Sequence, residues 1–281
     1  MDWSKAKTIL IIAFIITNML LIFALVGEKP KTETTVSDEF IDDVIALLRN
    51  KNIGVATEIP KDKPHLSTMI VGYEKIDIDQ LNKRFFNDRG IVRDNGEGLK
   101  EIINGSKSVV VVNKKLISYE DKENHGNYPY INEDKAIQIA MEFLKDRLFD
   151  TSDMKLTYIK EEDGVFYLEY SKLYGEIIIE RAFTNLQVDK RGVKRFERLW
   201  LNPKDLGDTE IYISTAPKSI LGLLNEEEIY GKTIIDISLC YYFDPQKHEY
   251  IGEPDEAKQG KVVPAWRIQF SDGYKVFIDE Y

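Results

Sequence analysis

From Thr8 to Val26 the chain runs nineteen residues without a charge. A helix of that length spans roughly 28 Å, close to the ~30 Å hydrocarbon core of a bilayer. A signal-peptide core is shorter, and its cleavage site wants small residues, whereas this run ends Ala24-Leu25-Val26. The run is also apolar on every face, unlike a helix on the surface of a soluble domain. The pattern predicts a retained transmembrane helix over residues 8–26. Residues 1–7 are then a cytoplasmic tail, and the polar bulk lies outside. Trp3, Lys5 and Lys7 suit anchors at the cytoplasmic membrane interface. Residues 27–36 (GEKPKTETTV) read as a linker.

Beyond residue 36 the period changes repeatedly. Ser37 stands as an N-cap before Phe40, Ile41, Val44, Ile45 and Leu48, which recur at helical spacing. Asp77 stands likewise before Leu81, Phe85 and Phe86. Residues 99–103, 107–112 and 115–120 are β-branched runs separated by turns, a predicted meander. The polar segment 121–130 (DKENHGNYPY) follows, and a domain boundary is set there. Asn132, Glu133 and Asp134 open the second unit with a helix that sets Ile137, Ala140, Met141, Leu144 and Leu148 on one face. Strands are expected at 154–161, 164–173, 176–189 and 193–201, with hairpin turns at 162–164 and 190–192. A short helix at about 217–225 and strands near 234–244, 262–270 and 274–281 end the chain. The expected fold is therefore α+β. One N-terminal transmembrane helix precedes an N-terminal domain over 37–122 and a C-terminal domain over 123–281. The latter holds two helix-plus-antiparallel-sheet modules, at about 128–203 and 204–281.

Charge narrows the function. The chain has 38 basic and 48 acidic residues, a net of −10. That excess argues against a nucleic-acid partner, which would want a basic stripe. The single cysteine, Cys240, excludes an intramolecular disulfide. The three histidines, His65, His125 and His248, lie far apart and without metal-ligand spacing, so no metal or cofactor is expected. Glu226-Glu227-Glu228 and Asp77/Asp79 are the carboxylate groupings a membrane-tethered wall hydrolase could use. Solvated faces and helix caps account for the same residues. Trp200 and Trp266 fall on strand patterns and are expected in the core.

The apolar helix carries a further pattern. Ala6, Ala13, Thr17 and Ala24 step by seven, four and seven, which keeps them on one face, with Asn18 beside it. Small residues allow close approach of another helix, and an amide in hydrocarbon favours a hydrogen-bonding partner. These residues are the expected helix–helix interface.

The opening M-D-W-S-x-x-K-T-I, followed by a Phe- and Ile-rich span with a central Asn, resembles the YycI (WalI) family. The segments LCYYFD and VVPAWRIQF resemble that family's last domain. The resemblance implies a single-pass membrane protein with an extracytoplasmic domain and no catalytic activity. It implies a partner, the cell-wall sensor histidine kinase YycG (WalK), regulated together with a sister protein, YycH (WalH). It places the contact to the kinase in residues 8–26, and it leaves the sign of regulation and any extracellular ligand open. The helix-plus-meander modules also look like peptide- or protease-binding PepSY folds, a structural analogy only.

Overall fold

A computed structural model describes residues 7, 10, 13–19, 36–123, 126–243 and 259–279. Besides the helical segment 13–19, they form four α-helices and fourteen strands, the strands joined in one branched, mostly antiparallel sheet. Only the pairings of β12 (Thr233–Tyr242) with β1 (Gly54–Val55) and with β9 (Ile177–Asp189) are parallel. The class is α+β, with a large mixed sheet.

The middle of the chain is a helix followed by a four-stranded meander, twice. The first copy is α2 (Ile78–Phe86), β3 (Ile91–Asp94), β4 (Leu99–Asn104), β5 (Lys107–Val112) and β6 (Leu116–Asp121). The second is α3 (Glu133–Asp146), β7 (Met154–Glu162), β8 (Val165–Tyr174), β9 and β10 (Gly192–Leu199). Local chemistry explains these elements. Asp77 accepts hydrogen bonds from the Asp79 and Gln80 amides, and Asn132 from the Lys135 amide, so both helices start on side-chain caps. Asp163 and Gly164 take positive φ of 52° and 73°, as a two-residue hairpin between right-twisted strands requires.

The copies join where β6 and β10 pair antiparallel, with Tyr119 opposite Phe196. One register row then crosses six strands: Ile102, Val109, Tyr119, Phe196, Leu186 and Leu168. All six are buried beneath α2 and α3. Tyr119 and Phe196 hold equivalent places in their copies, so this junction lies near a local two-fold axis. Phe85, Phe143 and Phe149 pack over it, and the Arg147 guanidinium lies 3.6 Å from the Phe143 ring centre.

The two ends of the chain build the rest. From the start come α1 (Asp38–Asn50), capped by Ser37, then β1 and β2 (His65–Tyr73). From the end come β11 (Leu201–Tyr212), α4 (Ala216–Ile220), β12, β13 (Gln259–Phe270) and β14 (Lys275–Ile278). Strand β2 lies between β11 and β13, and α1 and α4 share a core with Trp266, Ile268 and Phe270. Strand pairing thus runs across both divisions expected from sequence. β6 pairs over the 121–130 break, and the 204–281 stretch takes its first helix and strand from residues 38–73. Two strands escape the sequence pattern. β3 is only four residues long, and β11 carries Pro203 and Gly207 with two register shifts.

Entry to and exit from the middle segment are tied together. The Glu74 amide donates to the Trp200 carbonyl at 2.8 Å. Arg198 donates through Nε and a terminal nitrogen to the two Glu74 carboxylate oxygens at 3.0 and 3.3 Å, and to Thr184 Oγ1 at 2.9 Å. Its guanidinium sits 4.0 Å from the Trp200 ring centre and is 1% exposed. Removing one partner of a buried pair strands the other charge, whereas removing both with apolar replacements does not. Glu74→Ala should therefore cost about 3 kcal/mol. The double variant Glu74→Leu/Arg198→Met should stay within about 1 kcal/mol of wild type. Urea unfolding of the full-length protein in detergent, followed by tryptophan fluorescence, measures both. Equal losses for the two variants would refute the charge-stranding account.

Candidate functional site

Of the helix–helix residues expected from sequence, Ala13, Thr17 and Asn18 lie within the described helical segment 13–19, and Lys7 is also described. Ala6, Ala24, Trp3 and Lys5 lie outside the described residues. Thr17 Oγ1 donates to the Ala13 carbonyl and Asn18 Nδ2 to the Phe14 carbonyl, both at 2.9 Å. Both polar side chains thus bond back onto their own helix, a standard way to carry such groups through an apolar medium. The Asn18 amide keeps its oxygen as an acceptor. Leu10, Phe14, Ile15, Ile16 and Met19 are all exposed. No helix of the described residues is long and apolar enough to cross a membrane, and most of residues 8–26 fall outside that description.

The residues weighed for chemistry are dispersed. Asp77 caps α2, and Asp79 lies in its first turn. Glu228 accepts from the Tyr274 hydroxyl at 3.3 Å, beside the 3-10 turn that holds Glu227. Cys240 is fully buried in β12, and burial pushes its thiol well above the ordinary value. Trp200 and Trp266 are both core residues, and Trp266 Nε1 donates to the Ser214 carbonyl at 2.7 Å. His65 stacks on Tyr212 with ring centres 5.7 Å apart, at the mouth of an open cleft of about 520 Å³. Tyr174, Glu176, Ile177, Glu210 and Tyr241 line the same cleft. His125 and His248 lie outside the described residues. No group of three or more His, Cys, Asp or Glu side chains able to hold a metal occurs among the described residues.

Sequence reasoning missed a second buried charge cluster, where the last hairpin meets the middle sheet. Arg267, 1% exposed, donates to Glu180 at 2.5 Å and to Asp236 at 2.8 Å. Lys275 donates to Glu169 and lies 4.0 Å from Glu180. A signal was present for Arg198 in GVKRFERL. It shares strand parity with Phe196, so a charge was due to point inward and need a partner. Burial also acts on the phenols of Tyr119 and Tyr170, pushing both up to about 12.

No protein-family model matches the chain, and no curated protein matches it. Solved structures do. An uncharacterized protein from Eubacterium rectale ATCC 33656 superposes with a TM-score of 0.55 at 10% identity, over 88% of this chain and 97% of that one. YycH from Bacillus subtilis superposes with a TM-score of 0.52 at 14% identity, over 79% of this chain. The match spans 55% of the YycH chain, so it takes in about half of that protein. The fold resembles YycH.

The final hairpin yields a pH test. Asp272, in the β13–β14 turn, accepts from Lys232, and this bond holds its carboxyl below the ordinary 3.8. A depressed carboxyl adds stability above the free value and loses it as pH falls through the folded one. The stability gap between wild type and Asp272→Asn should therefore be clear at pH 7. It should shrink as pH drops from about 4 toward 2. A gap that stays constant in urea titrations across that window would refute the assignment.

Proposed function

We propose that the chain is a membrane-anchored, non-enzymatic accessory regulator of a sensor histidine kinase that governs cell-wall metabolism. It acts beside a YycH-like sister protein, with its N-terminus cytoplasmic and its α+β region outside. The observation that carries this reading is the YycH-like fold over most of the chain, on a sequence that opens with a membrane-length apolar run. Of the carboxylates weighed for hydrolysis, Asp77 caps a helix and Glu228 accepts from a surface hydroxyl, far apart in the fold.

In this reading the N-terminal helix is the main contact with the kinase and the sister protein. Ala13 and Thr17 let a neighbouring helix approach, and the free oxygen of Asn18 accepts a hydrogen bond from it. Because the Asn18 amide nitrogen is already bonded to Phe14, the added bond is worth only about 0.5–2 kcal/mol. Asn18→Leu should weaken association by at most about thirtyfold. Ala13→Leu with Thr17→Leu should weaken it more, because bulk separates the backbones. Co-purification from membranes with kinase and sister, with and without residues 1–26, tests the assembly, and energy transfer in membranes ranks the variants. If a scrambled apolar helix of equal length supports association and signalling equally well, the helix is a tether only.

A further inference from the structure

The sheet ends in edges, and they are not alike. An open edge offers unpaired N–H and C=O groups to any passing strand, and proteins commonly block it. β11 is blocked by Pro203 and two register shifts. β7 is interrupted by a bulge between Leu156 and Tyr158 and ends in Lys160, Glu161 and Glu162. No residue of β14 is exposed. β3 is short and ends in the charged pair Arg93 and Asp94, but it has neither a proline nor a bulge. Among the described residues it pairs with β4 alone, in unbroken register. All four of its residues are exposed, with Ile91 at 65% and Val92 at 42%.

The free groups can be assigned. The Asn95 amide donates to the Leu99 carbonyl at 2.9 Å, so 95 opposite 99 is a hydrogen-bonded pair. Alternation then turns the backbone groups of Val92 and Asp94 outward. Those of Gly90 follow the same parity, and both are taken by one side chain. The Gly90 amide donates to Asn82 Oδ1 at 2.9 Å, and Asn82 Nδ2 donates to the Gly90 carbonyl at 3.0 Å. Asn82 thus stands where an added strand would begin and leaves the next two positions free.

Charge selects the occupant. Residues 83–94 hold Lys83, Arg84, Arg89 and Arg93 against Asp88 and Asp94, in a chain of net charge −10. Asp94 is itself paired with Lys100 at 3.6 Å. We propose that the outer edge of β3 docks an extended, acidic strand of a partner protein by strand addition. The added backbone takes the groups of Val92 and Asp94, apolar side chains cover Ile91 and Val92, and carboxylates meet Arg89 and Arg93.

The test uses the full-length protein in detergent and a fluorescein-labelled peptide, Glu-Val-Thr-Val-Glu-Val-Glu, read by anisotropy. Saturable binding that weakens with salt is expected, together with slowed hydrogen exchange over residues 91–94. Val92→Pro removes one outward N–H and should weaken binding at least tenfold. Val92→Glu sets a like charge against the acidic peptide without a backbone constraint and should do the same, which guards against misfolding of the proline variant. Arg89→Glu with Arg93→Glu should also cost at least tenfold. The proposal is overturned by equal binding of a peptide with Lys in place of Glu, or by unchanged binding to Val92→Glu. It is equally overturned if the protein alone forms a dimer that Val92→Pro abolishes, since the occupant is then a second copy.

Discussion

The chain leaves its first sheet segment and returns to its last at one point, where Glu74 and Arg198 meet between Trp200 and Phe149. Everything between them, about 120 residues, is a loop that closes there. Closing a loop of that length carries an entropic cost that grows only slowly with its size, so a long insertion is tolerated if its ends are fixed. Three contacts fix them: the Glu74–Trp200 backbone bond, the forked guanidinium–carboxylate pair, and the tie to Thr184. That point lies beside the place where β2 enters between β11 and β13.

The second buried cluster plays a matching part on the other side. Arg267 and Lys275 belong to the last hairpin, and Glu180 and Glu169 to the middle sheet. Buried ion pairs add little net stability over apolar packing, because desolvation cancels much of their attraction. They do penalise a wrong register, which would leave charges unpaired. A sheet of fourteen strands from one chain has many near-equivalent pairings available. Charges set at two junctions single out the one in which each finds its partner.

The described residues form a broad sheet with helices packed on it. The exposed apolar side chains of residues 10–19 and the free edge of β3 lie at distant places in the sequence. Under the proposed function these would be two separate contacts, and linked weak contacts raise overall affinity without new chemistry.

The sequence alone determined what depends on near neighbours. The length of the uncharged run, the caps at Ser37, Asp77 and Asn132, the Asp163-Gly164 turn and the burial of both strand tryptophans all follow from local patterns. So did the α+β class and the order of helix then meander. Of the proposed helix contact, the residues were legible, but the back-bonding of Thr17 and Asn18 was not. Tertiary structure alone decided which distant strands pair: β6 with β10, and β2 with β11 and β13. It also decided where Arg198 and Arg267 find carboxylates, and that β3 ends the sheet with a bare edge. The reason is physical. Side-chain period fixes which face of a strand is buried, but strands of like pattern are interchangeable as neighbours. Only the packing of the whole chain, with its buried charges matched, distinguishes one neighbour from another.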